Sequence, residues 1–296
     1  MNLLIIGFGQ IGKSHLKSFY LSKKKYNIFI YDINKINIGD IDKKENLKFH
    51  ILKKFPTNLK FELCIIATNS LERFRILNNL LKYNSVKYLI IEKYIFTKTI
   101  HYSSLKKKLF RISSRLFINL WGSIVADSLK VNLKSKNLKF YVKIKDDRLI
   151  TNTIHFLDFF CFFTNRKLQN LKIDVKKIIN SKRKKYKEII GSVTAENNKG
   201  SIVVISEKNL IYDSIEIKDN DNFYRIIIAK NKKCFLYKNS KIIKKVKFPY
   251  AYNKTSEIFE KFFLKKRKSK IFSNFKSNYL ISEEIIKKLK KNILIT

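Results

Sequence analysis

The sequence predicts an α/β fold: an amino-terminal Rossmann-type, doubly wound parallel sheet followed by an α+β domain with an open, mainly antiparallel mixed sheet. Three observations carry that expectation. Short apolar runs alternate with longer amphipathic segments through residue 117, the pattern of a parallel sheet covered by helices. The first apolar run, Leu3-Leu4-Ile5-Ile6, leads directly into Gly7-Phe8-Gly9-Gln10-Ile11-Gly12, a turn that permits close backbone approach. Beyond residue 117, apolar and polar residues alternate in segments separated by turns such as Asn197-Asn198-Lys199-Gly200, as in a sheet with one covered face. The expected domains are 1–117 and 118–296.

The elements follow in order. A strand at 2–6 ends at the glycine turn, which holds three of the chain's seven glycines. Gly7 serves the tight turn, Gly9 lets a pyrophosphate approach, and Gly12 brings helix against strand. A helix at 10–22 follows, with its opening amides facing the anion. The next strand, 27–32, ends at Asp32, 20 residues past Gly12, where a carboxylate meets the adenosine ribose. That carboxylate bonds a 2′-hydroxyl and repels a 2′-phosphate, so NAD is the expected cofactor, with NADP left open by nearby Lys35. Strands at 47–52, 62–67 and 87–91, helices at 71–83 and 102–113, and a last strand at 116–119 complete the first sheet.

Ligands of such sheets lie outside the carboxyl ends of the strands, and two ends stand out. The strand 62–67 runs into Ala67-Thr68-Asn69, small and polar residues past which a cofactor can lie close to the backbone. The strand 87–91 runs into Glu92-Lys93. Asn119, at the end of the last strand, and Trp121 are candidates for the substrate pocket, with Arg73 and Arg148 behind them.

In the second domain, segments at 138–144, 171–178, 187–195, 200–206, 213–218, 223–229 and 233–246 have strand character. The apolar stretch 154–163 reads as a helix buried against this sheet, and helices near 253–264 and 279–292 close the chain.

Composition bounds the function. With 296 residues, 45% hydrophobic, the chain has material for two globular cores. The net charge of +41 invites a nucleic-acid reading, but Lys is scattered throughout and Arg supplies only nine of the 64 basic residues. Bidentate phosphate or guanine recognition favours Arg, so the charge reads as compositional bias without a specific nucleic-acid partner. Runs such as Lys182-Arg183-Lys184-Lys185 and Lys265-Lys266-Arg267-Lys268 read as solvated loops. Cys64, Cys161 and Cys234 are widely spaced, without metal-ligand spacing; no metal site is expected, and the thiols point to a reducing, cytoplasmic setting. The first strand begins almost at Met1, and 154–163 is too short for a membrane span and is broken by Asp158.

The sequence Ile6 to His15 (I-G-F-G-x-I-G-x-x-H), Tyr31-Asp32, Ile66-Ala67-Thr68, Glu92-Lys93 and the His155/Asp158 pair (H-x-x-D) resembles the Gfo/Idh/MocA oxidoreductases over nearly the full length. The resemblance implies a dinucleotide-binding domain and a substrate-binding domain whose sheet makes a homo-oligomer interface. It implies NAD(P)-dependent hydride transfer at a hydroxyl or carbonyl of a small-molecule sugar or nucleotide-linked sugar, without membrane involvement. The family's motif lysine falls on Lys93, which would contact the substrate oxygen and nicotinamide ribose. Its active-site histidine falls on His155, the candidate acid/base, with Asp158 beside it as a substrate-binding candidate. Asn152 is a candidate for a substrate hydroxyl, and the N-x-I-H-F-x-D pattern is similar to a branch found with bacterial surface-polysaccharide biosynthesis.

The chain departs from the family pattern at Tyr94, where a proline is usual, and at Thr151, where a carboxylate is usual. Two other readings follow: an epimerase or lyase that cycles its bound NAD, and a dinucleotide-binding regulator without catalysis. A nucleic-acid binder rests on charge alone.

Overall fold

A computed structural model describes residues 1–37, 39, 44–165, 167–229, 233–265, 275–289 and 293–295. The chain divides into two compact units: Met1–Asn119 with Tyr250–Lys276, and Leu120–Pro249 with Ser277–Thr296. Residues 250–265, which the sequence reading places in the second domain, thus group with the first unit.

The first unit holds six parallel strands, β1 (Asn2–Ile6), β2 (Tyr26–Tyr31), β3 (Leu47–Leu52), β4 (Lys60–Ile66), β5 (Ser85–Ile91) and β6 (Leu116–Ile118), in the order β3-β2-β1-β4-β5-β6. Strand order reverses between β1 and β4, which opens the crevice where such sheets bind ligands. Leu3 to Ile6 and Leu63 to Ile66 are buried without alternation, because helices cover both faces of a parallel sheet. Three of these are α1 (Gln10–Phe19), α2 (Arg73–Tyr83) and α3 (Thr99–Arg111). α1 ends at Phe19, three residues before the expected limit: Phe19 is its last buried anchor, and Ser22 N–H bonds the Phe19 carbonyl to close the turn.

The second unit holds β7 (Leu138–Lys145), β8 (Gln169–Asn180), β9 (Lys187–Asn197), β10 (Gly200–Glu207), β11 (Asp213–Asp219), β12 (Asn222–Ile228), β13 (Lys233–Lys238) and β14 (Lys241–Lys247), in the order β14-β13-β12-β11-β7-β10-β9-β8. Only β7 and β10 pair in parallel. The expected strand 233–246 is a hairpin, not one strand. Asn239 and Ser240 both adopt positive φ, 44° and 69°, which suits the two-residue turn of a twisted hairpin.

One face of this sheet packs on α5 (Leu149–Thr164), and Phe140, Val142, Ile202 and Val204 are buried there. On the other face register aligns Val203, Tyr141, Glu216, Arg225, Tyr237 and Ile242 in one row across β10 to β14. Tyr141 is 51% and Ile242 58% exposed.

The structure adds α4 (Gly122–Leu129), a helix the sequence reading lacks. Gly122 opens it, and a Cβ there would lie 2.0 Å from the His155 carbonyl oxygen, so the glycine permits α4 to sit directly on α5. The expected helix 253–264 is a 3₁₀ turn over Ala251–Lys254, a short α6 (Thr255–Ile258) and a π-helical stretch at Phe259–Leu264. The final helix α7 spans Phe275–Lys288; the expected extension to 292, and the basic run at Lys266-Arg267-Lys268, lie outside the described residues. Among the described residues no helix is long and apolar enough to cross a membrane.

Candidate active site

The glycine turn is built as the sequence requires. Gly7 has φ +91°, and a Cβ there would meet the Thr68 backbone nitrogen at 2.8 Å. A Cβ on Gly12 would lie 2.0 Å from the Gly7 carbonyl oxygen, so only glycine lets α1 start this close to the turn. Gly9 differs: nothing lies within 4 Å of its Cβ position. Gly9 is also the N-cap of α1, with no side-chain cap and no acidic residue in the first turn. The helix thus opens beside free space at Gly9 without a side-chain cap, the arrangement that receives an anion.

Gly7, Gly9, Asp32, Ala67, Thr68 and Asn69 line one cleft of about 190 Å³. Phe8 is buried behind it and donates its backbone N–H to Asp32 Oδ2 at 2.5 Å, while Asn34 N–H meets Oδ1 at 2.8 Å. The Asn34 side-chain amide also meets Oδ1 at 3.2 Å; a carboxylate has about four acceptor positions, so Asp32 retains room for a ribose hydroxyl. Thr68 Oγ1 is buried without a hydrogen-bond partner. An open anion cradle, an oriented carboxylate and an orphaned hydroxyl together fit a dinucleotide. Arg75, which the sequence reading did not single out, also lines this cleft and pairs with Glu72 at 3.0 Å.

At the carboxyl end of β5, Glu92 accepts from the Asn119 amide, and His15 Nε2 meets its Oε1 at 3.0 Å. His15 is fully buried, and its Nδ1 lies 2.6 Å from Thr255 Oγ1. Burial pushes the Glu92 carboxyl up, but the His15 hydrogen bond and charge, the Arg73 charge and the Asn119 amide outweigh it and hold the group below its ordinary value. Tyr252 packs edge-on to His15; burial, Tyr250 and Glu92 push its hydroxyl up to about 12. Lys93 follows Glu92 and is half-buried.

Arg73 is not a pocket residue. It is 4% exposed and donates to the carbonyl oxygens of Thr68, Glu92 and Tyr94, tying the carboxyl ends of β4 and β5 together. This clamp holds the turn after Lys93, where Tyr94 is fully buried.

In the second unit, α5 carries His155, and the Trp121 ring stacks on it at 4.7 Å. The Trp121 backbone N–H donates to His155 Nδ1 at 3.3 Å. Asn152 lies one helical turn earlier and is half-buried. Asp158 departs from its expected contact with substrate. Its side chain is fully buried, Oδ2 accepts from Ser123 N–H at 2.6 Å and Oδ1 from the Asn278 amide at 2.9 Å; it caps α4 and ties that helix to α7. Burial raises its carboxyl against those bonds.

Thr151 stands in the first turn of α5, where Glu188 of β9 accepts the backbone N–H groups of Ile150 and Thr151. This cap comes from 38 residues along the chain, and periodicity carries no signal for it. Arg148 is likewise occupied, paired with Asp213 at 3.0 Å and Asp147 at 3.4 Å.

No family model and no curated protein matches the chain. Solved structures do. UDP-N-acetylglucosamine 3-dehydrogenase from Acidithiobacillus ferrooxidans is similar at 12% identity and TM-score 0.68, over 98% of this chain and 97% of that one. A Gfo/Idh/MocA family oxidoreductase from Vibrio cholerae is similar at 9% identity and TM-score 0.63, over 97% of each chain. The super-repressor mutant of Gal80p from Saccharomyces cerevisiae is similar at 13% identity and TM-score 0.68, over 99% and 95%. At these identities the likeness establishes the fold: a parallel Rossmann-type sheet and a second unit with a mixed sheet, as in Gfo/Idh/MocA proteins.

Proposed function

We propose that the chain is an NAD-dependent oxidoreductase that moves hydride between nicotinamide and a hydroxyl or carbonyl carbon of a sugar or nucleotide-linked sugar, serving surface-polysaccharide synthesis in the cytoplasm. The observation that carries this reading is the cleft at the carboxyl ends of β1 and β4, where open space at Gly9 meets uncapped helix amides, Asp32 and the orphaned Thr68 hydroxyl. A bound nicotinamide dinucleotide supplies the hydride donor or acceptor. The α1 amides and Gly9 hold its pyrophosphate, Asp32 its adenosine ribose, and Ala67, Thr68 and Asn69 flank its path. The Asp32 carboxylate favours NAD; Arg75 and Lys35 are the cations that would offset it.

Lys93 carries a positive charge to the reacting oxygen and stabilises alkoxide character there. His155 handles the proton. As neutral imidazole it takes the hydroxyl proton in the oxidation direction, and as imidazolium it returns that proton to the oxygen in the reduction direction. Asn152 offers an amide to a further hydroxyl. The dehydrogenase from Acidithiobacillus ferrooxidans supports a nucleotide-sugar substrate by analogy of fold.

Titration of NADH and NADPH fluorescence at physiological salt, repeated with nucleotide-activated and acidic sugars while reduced-nicotinamide absorbance is followed, tests this reading. Tight NADH binding with sugar-dependent oxidation supports it; absence of dinucleotide binding refutes it. His155→Asn is expected to lower turnover by about 10²–10⁴ with unchanged NADH affinity, and unchanged turnover would return His155 to a packing role. A second reading, a dinucleotide-binding regulator, is favoured by Tyr94 and Thr151 and by the likeness to a super-repressor; it expects NADH binding without hydride transfer to any sugar.

A further inference from the structure

The hydrogen bonds behind the Glu92 corner have a fixed direction. The Thr255 hydroxyl donates to the Tyr252 carbonyl at 2.9 Å. Its single proton is thereby committed, so toward His15 Nδ1, 2.6 Å away, the oxygen accepts. Glu92 Oε1 lies 3.0 Å from His15 Nε2, and the Glu92 carboxyl is held below its ordinary value, as a carboxylate. Glu92 Oε1 also receives the Asn119 amide nitrogen. A carboxylate accepts only, which fixes the Asn119 amide with its nitrogen toward Glu92 and leaves Oδ1 as a pure acceptor. That oxygen is buried and has no hydrogen-bond partner, on a residue 4% exposed.

An unpaired acceptor in such a place is costly unless a ligand donor completes it. Asn119 N–H bonds the Ile91 carbonyl at 2.8 Å, so the residue stands at the carboxyl edge of the same sheet as the glycine turn. In the order β2-β1-β4-β5-β6, a dinucleotide with its adenosine at Asp32 and its pyrophosphate at Gly9 points its other end toward β5 and β6. The donor carried at that end is the carboxamide nitrogen of nicotinamide.

Resting on the function proposed above, we infer that Asn119 accepts a hydrogen bond from the nicotinamide carboxamide, and that His15 is the positioning residue that holds it so through Glu92. Asn119 thus moves from the substrate, where the sequence places it, to the cofactor.

The test compares three ligands by equilibrium titration: NADH; its 3-acetylpyridine analogue, in which a methyl group replaces the carboxamide nitrogen; and ADP-ribose, which lacks the ring. Unaltered protein is expected to bind NADH more tightly than the acetylpyridine analogue. Asn119→Ala is expected to weaken NADH about 5- to 30-fold, to abolish the preference over the analogue, and to leave ADP-ribose within about twofold. His15→Asn is expected to act in the same direction on NADH and the analogue. Equal loss of all three ligands in Asn119→Ala, or unchanged NADH affinity with a raised sugar KM, would overturn the assignment. If His15→Asn does not fold, a double-mutant comparison of Glu92→Gln and Asn119→Ala on the NADH/analogue ratio decides: additive effects overturn the coupling, non-additive effects support it. Failure of unaltered protein to bind even ADP-ribose would reject the dinucleotide reading itself, whereas ADP-ribose binding with no NADH/analogue preference would reject only the role of Asn119.

Discussion

His155 and Asp158 sit three residues apart on one helix, yet their surroundings separate them. His155 is stacked on Trp121 and receives one backbone N–H, whereas both oxygens of Asp158 are spent on α4 and α7. Asp158→Ala is therefore expected to lower stability by about 1–3 kcal/mol, because the buried Ser123 N–H and Asn278 amide lose their acceptor. Denaturant titration checks this, and dinucleotide affinity should not change. At Glu92 the sign of the pH dependence follows from its lowered value. The ionised carboxylate contributes stability that is present above the ordinary value of about 4.3 and is lost as pH falls through the lower folded value. Glu92→Gln should remove that part of the acid sensitivity, read as a smaller change in denaturation midpoint below about pH 4.

At the scale of the element, α1 carries two glycines with different jobs. Gly9→Ala places its new methyl in open space, so the unliganded protein should keep its thermal midpoint while dinucleotide affinity falls. Gly12→Ala drives a methyl into the Gly7 carbonyl and should lower the midpoint as well, since helix and turn must separate. Equal thermal effects for the two variants would dissolve the distinction between a glycine kept for a ligand and one kept for packing. The turn after β5 shows the same economy. Arg73 of α2 binds three carbonyl oxygens around Glu92 and Tyr94 and does by hydrogen bonding what a proline does by ring closure.

At the scale of the whole molecule, a net charge of +41 is spread over two units with separate cores, and its consequence is for ligand attraction more than for fold. The resemblance read from the sequence expects two copies of the chain to associate through the sheet of the second unit. Apolar Val203, Tyr141, Tyr237 and Ile242 share a row there with the Glu216–Arg225 ion pair. Tyr141→Glu is expected to shift the protein toward monomer in sedimentation analysis without altering dinucleotide affinity. A monomeric unaltered protein would remove this face from consideration.

The sequence by itself determined whatever depends on local periodicity and short spacing. The alternation of apolar runs announced the six parallel strands, Gly7 to Gly12 announced the turn, and Asp32 lay at the right interval beyond it. Helix α4 and the hairpin at Asn239-Ser240 were missed, because Gly122 and a turn without glycine carry weak local signals. Only the tertiary structure decided which polar residues are taken up by the scaffold. Arg73, Arg148 and Asp158 were consumed by backbone amides, carbonyls and ion pairs. His15, Thr255 and Asn119, far apart in the chain, were joined on one carboxylate. The physical reason is that a polar side chain takes its role from the partner left to it after burial, and that partner is chosen by the fold, across distances that no periodicity spans.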